Sequence, residues 1–128
     1  MSFKFNDGGR ALAGYKGQAL DCVVRALAIA TNGDYKALYV ELATANKFVF
    51  GKKSARNGLN RTVYEKVFNK YGFKWRSAPT FVGRKARCSD LTGIAIAKQA
   101  RHVVAVIDGV PQDTWDSSDK MVYGYWSK

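Results

Sequence analysis

Apolar positions fall into two regimes along the chain. In the first half they recur at helical spacing, and in the second they alternate or run together as strands do. Residues 22–31, CVVRALAIAT, are apolar except for Arg25 and Thr31. A helix apolar on nearly all sides is one buried in a core. Asp21 stands at its N-cap position and Asn32-Gly33 ends it. Asp34 caps a second helix, YKALYVELATAN (35–46), which a basic, aromatic loop follows. A third, RTVYEKVFNKY (61–71), is capped by Asn60, places Val63, Val67 and Tyr71 on one face, and stops at Gly72. Phe73 to Ser77 reads as a short strand, and Ser89-Asp90-Leu91 opens a helical turn. Four strand-like runs close the chain: GIAIAK, HVVAVI, VPQDTWD and MVYGYW. Asp108-Gly109, between the second and third, is the strongest hairpin signal present. This order predicts one α+β domain over residues 1–128. N-terminal helices, among them a buried central one, pack on a C-terminal antiparallel sheet, and residues 1–17 form an irregular, glycine-containing arm.

Composition narrows this picture. With 47% hydrophobic residues in 128, the chain has enough apolar surface to fold as one core. Its longest apolar runs are far shorter than a membrane span, and the first 17 residues lack the apolar centre of a signal peptide. The expectation is a soluble, cytoplasmic protein with no membrane partner. Two cysteines, Cys22 and Cys88, read as free thiols in that compartment. A single histidine leaves a Cys/His zinc site short of ligands, so neither a metal nor a cofactor is expected.

The net charge of +11 is unevenly spread: residues 47–101 hold fourteen Lys/Arg against Glu65 and Asp90. A block of that sign attracts nucleic acid or an acidic protein surface. Within it, FVFGKKSARNGLNR interleaves Phe48 and Phe50 with Lys52, Lys53, Arg56 and Arg61, as single-strand binders do.

The hairpin brings chemistry together. With Asp108-Gly109 as a two-residue turn, Ile107 pairs with Val110, Ala105 with Gln112 and Val104 with Asp113. His102 then shares a face with Val104 and becomes a diagonal neighbour of Asp113, within reach of its carboxylate. Cys22, in the first turn of the buried helix, feels the positive end of the helix dipole, which favours thiolate. Nucleophile, base and orienting carboxylate are the parts of a thiol hydrolase. Gln18, four residues before Cys22, offers a side-chain amide that joins the Cys22 N–H as an oxyanion donor.

Chain order Cys, His, Asp, with the cysteine opening the central helix, resembles the papain-like cysteine peptidase superfamily. QALDCVVRALAIA is similar to the helix start of bacteriocin-processing double-glycine peptidases, and Asp-Cys also occurs in related cell-wall amidopeptidases. Asp113-Thr114-Trp115 resembles the Asn-x-Trp of papain, whose Trp shields the His–Asn bond from water. DCVVRALAIAT, TVYEKVF and HVVAVIDGVPQDTWD followed by VYGYW also resemble small proteins encoded by tailed bacteriophages. The resemblance spans about residues 18–126 and implies a papain-like fold, a Cys22–His102–Asp113 triad with Trp115 beside it, and a peptide or protein substrate. It also implies an alternative: an inert papain-like scaffold in a host cytoplasm that grips an acidic host protein or nucleic acid through residues 47–101.

Overall fold

The computed structural model describes residues 3–12, 14, 22–50 and 61–128. Among them are three α-helices and six strands in one sheet. The first strand, β1, is Lys4–Phe5. The helices follow as α1 (Cys22–Thr31), α2 (Tyr35–Phe50) and α3 (Arg61–Lys70). The other strands are β2 (Lys74–Ser77), β3 (Ile94–Gln99), β4 (His102–Ile107), β5 (Val110–Asp113) and β6 (Gly124–Ser127). A turn of 3-10 helix covers Cys88–Asp90. No helix among the described residues is long and apolar enough to cross a membrane.

Local chemistry sets the boundaries. Asn32 takes a left-handed conformation (φ 52°) and Gly33 N–H bonds back to the Ala28 carbonyl at 2.9 Å, which closes α1. The Asp34 carboxylate accepts the Ala37 N–H at 2.9 Å, capping α2. Asp108 and Gly109 both have positive φ, as a tight hairpin turn demands. The caps expected at Asp21 and Asn60 lie outside the described residues. Helix α2 runs four residues past the expected end at Asn46, because no residue before Gly51 breaks a helix.

Strand order is β1-β5-β4-β3-β6-β2. All neighbours run antiparallel except β1, which lies parallel to β5. This corrects two expectations: the sheet is mixed, not wholly antiparallel, and the N-terminal arm is not irregular throughout. The reason is the outer edge of β5, whose backbone groups need partners. Lys4–Phe5 supplies them, and Asn6 extends the contact, donating to the Asp113 carbonyl at 2.8 Å and to Gln112 Oε1 at 3.0 Å.

Both faces of the sheet are covered. On one, Ile96, Val103, Ala105 and Trp126 pack with Val24 and Leu27 of α1, Leu42 of α2 and Phe68 of α3. On the other, Ala95, Ala97, Val104 and Val106 meet Ala86, Cys88, Leu91 and Val122. Burial on both faces explains why IAIA and HVVAVI are continuous apolar runs.

Beside Trp126, the Trp75 ring lies across Gly124, where an added Cβ would sit 2.2 Å from the indole. Gly124→Ala is therefore expected to cost about 1–3 kcal/mol in urea unfolding. Most of that cost should vanish in a Trp75→Ala background; equal costs in both backgrounds would contradict this packing.

Candidate active site

The hairpin has the register that the Asp-Gly turn dictates, with Ile107 against Val110 and Ala105 against Gln112. Continuing it carries Asp113 to the end of β5 beside the start of β4, where His102 stands. His102 Nε2 and Asp113 Oδ2 meet at 2.5 Å. Strand alternation groups His102 with Val104 and Val106, whose side chains face away from the helices. Asp113, the last residue of β5, nonetheless meets α1 through Arg25.

Asp113 is 2% exposed, and such a carboxylate stays ionised only if it is well bonded. It accepts the Arg25 Nε proton at 3.3 Å and the Thr114 N–H at 2.7 Å, besides its bond to His102. Burial works to raise its pKa, but the His102 bond and charge, the Thr114 N–H and the Arg25 charge together hold it below the usual carboxylate range. The Trp115 ring packs against the imidazole, centroids 4.7 Å apart and planes tilted by 40°, and the residue is 44% exposed.

Cys22 is the first residue of α1 and is partly buried. It stands near enough to His102 for the two side chains to influence each other's charge. With Nε2 bonded to Asp113, Nδ1 is the ring nitrogen left for a second partner. Burial works to lower the His102 pKa, yet the bonds and charges of Asp113 and Cys22 win and raise it to about 9. At neutral pH the ring is then an imidazolium between two acidic groups. Cys88 has the opposite surroundings: it is fully buried near Gln99 Nε2 (3.6 Å), and burial pushes its thiol up to about 12.

The structure thus brings Cys22, His102, Asp113 and Trp115 together. Gln18, Lys52, Lys53 and Arg56 lie outside the described residues. Arg61 begins α3 with its guanidinium 4.4 Å from the Trp75 ring centre. Sequence reasoning missed Arg25 as part of the site. Its signal was present: the one charge in an apolar helix, three residues after Cys22, and so on a neighbouring part of its surface. Lys98 was missed as well. Its ammonium interacts electrostatically with both Cys22 and Arg61, a placement visible only once β3 is aligned with β4.

No protein-family model, curated protein or solved structure matches this chain.

Because the folded-state pKa of His102 lies above the ordinary histidine value of 6.5, its contribution to stability is complete below about pH 6.5 and is lost as pH rises through about 9. The gap between 6.5 and about 9 corresponds to about 3 kcal/mol. His102 is the only histidine, so one pair of ring C–H resonances reports its titration by NMR. A midpoint well above 7 is expected, falling toward 6.5 in Asp113→Asn; a wild-type midpoint near 6.5 would contradict the buried pair.

Proposed function

We propose that the chain is a papain-like thiol hydrolase in which Cys22 is the nucleophile, His102 the acid and base, and Asp113 the group that orients His102. The observation that carries this reading is one imidazole bonded to a buried carboxylate, with a thiol at the start of a buried helix beside it. An imidazolium already present at neutral pH stabilises a thiolate beside it and is ready to act as an acid.

The steps follow from these groups. The Cys22 thiolate attacks the carbonyl carbon of an amide, forming a C–S bond and a tetrahedral oxyanion. The Cys22 N–H, unpaired within the first turn of its helix, donates to that oxygen. Gln18 is the side-chain donor that the papain-like reading assigns. As the intermediate collapses, the C–N bond breaks and the His102 imidazolium gives its proton to the departing amine. Neutral His102 then takes a proton from water, which attacks the thioester carbonyl; the acid is released and the thiolate returns. Asp113, anchored by Arg25, fixes the tautomer throughout. A peptide, isopeptide or other amide fits this chemistry.

The alternative, an inert scaffold that binds through its basic segment, has less behind it. Several of that segment's cations are held by partners within the chain: Arg61 by the Trp75 and Trp126 rings, Lys70 by Glu41 at 2.6 Å, and Arg84 by both oxygens of Asp90.

A p-nitrophenyl ester tests acyl transfer directly. A rapid burst of nitrophenol is expected, with the acyl group mapped to Cys22 by mass spectrometry and both signals lost in Cys22→Ala. Absence of a Cys22 adduct, or equal acylation of Cys88, would overturn the hydrolase reading.

A further inference from the structure

Strand β3 supplies no reacting group, yet it ends beside the imidazole. Gln99, its last residue, is the cross-strand partner of His102, the first residue of β4. Residues directly opposite each other share a face of the sheet, so the two side chains are neighbours. Gln99 is 1% exposed. Its amide nitrogen donates to the Ser117 carbonyl at 3.0 Å and lies 3.6 Å from Cys88 Sγ, so both of its protons have a direction.

Ser117 belongs to the segment that follows β5. The Thr114 N–H, on the Asp113 carboxylate at 2.7 Å, holds the start of that segment. Its far end is a compact turn, in which Asp116 Oδ1 accepts the Ser118 N–H at 2.9 Å and the Ser117 carbonyl accepts the Lys120 N–H at 3.0 Å. Trp115 stands between these anchors, with its ring on the imidazole. Gln99 ties the turn back to the hairpin that bears His102.

The amide is kept there at a cost. Gln99 Oε1 and Ser117 Oγ are both buried, and neither has a hydrogen-bond partner among the described residues. An orphaned buried oxygen offsets much of what one amide hydrogen bond contributes to stability. An apolar side chain of similar length would occupy the place without that penalty, but it would not grip the Ser117 carbonyl.

We propose that Gln99 is a positioning residue of the site. Its amide holds the Ser117 carbonyl, which keeps Trp115 packed on the His102 ring and limits the orientations open to that ring. The role rests on His102 being the acid and base of the reaction. A reacting group displaced by about 1 Å slows a reaction severely, so a ring free to turn is a poorer catalyst.

Gln99→Met nearly keeps the length of the side chain and removes the amide. The Trp115 ring current displaces the C–H resonances of His102, the only histidine, and Trp115→Leu gives their positions without it. In Gln99→Met the resonances are expected to move most of the way to the Trp115→Leu positions. The burst from the p-nitrophenyl ester should slow about tenfold, while the urea midpoint stays close to that of the wild type. Should Gln99→Met fail to fold, Gln99→Asn, whose amide is one carbon shorter, is read the same way; failure of both makes Gln99 a core residue and overturns the proposal. Resonances that stay in place, or a burst of undiminished rate, overturn the role of Gln99 and leave the hydrolase reading standing. A wild type that forms no Cys22 adduct overturns the hydrolase reading, and the positioning role falls with it.

Discussion

A carboxylate taken out of water must recover in bonds what it loses in hydration, and Asp113 recovers it from three directions. Arg25 reaches it from α1, His102 from β4, and the Thr114 N–H from the chain that follows it. Each bond ties a different element to the end of β5. The parallel pairing of β1, continued by Asn6 on the Asp113 carbonyl, closes the remaining side. The position of the imidazole, and through it the environment of Cys22, is therefore a consequence of how one negative charge is accommodated. Removing Arg25 would leave Asp113 dependent on His102 and the Thr114 N–H, and removing Asp113 would leave Arg25 buried with less to meet it.

The two cysteines show how far surroundings decide chemistry. Cys88 is packed in the apolar layer under Ala95 and Val104, where an ion has no support, and its thiol stays protonated across the physiological range. Cys22 stands at the start of α1 against an imidazole whose positive form is stabilised from its far side. Identical side chains thus become a packing element in one place and a candidate nucleophile in the other. Trp115 adds a ring contact on the same imidazole.

Much of this was legible in the sequence where local rules are strong. Asp108-Gly109 fixes a two-residue turn, the turn fixes the register, and the register brings His102 and Asp113 within reach of each other. The apolar run from Val23 marks the helix that lies against β4. What was not legible depends on partners distant in the chain. Lys4–Phe5 is too short to show a strand period, and only the free edge of β5 makes it one. Arg25 appears as an interruption of an apolar helix until Asp113 is placed opposite it. Strand alternation alone groups Asp113 with the face away from α1, and its contact with Arg25 of α1 is not encoded by a pattern of alternating residues.

The thiolate–imidazolium pair is the point on which the functional account turns, and the pH dependence of iodoacetamide alkylation tests it most directly. Cys88 serves as an internal reference in the same molecule, and His102→Ala as the partner control. Alkylation of Cys22 should slow markedly in His102→Ala across the pH range, while Cys88 stays unmodified in both proteins. A Cys22 that alkylates with an ordinary thiol profile, unchanged when His102 is removed, would contradict the pair and the hydrolase reading built on it.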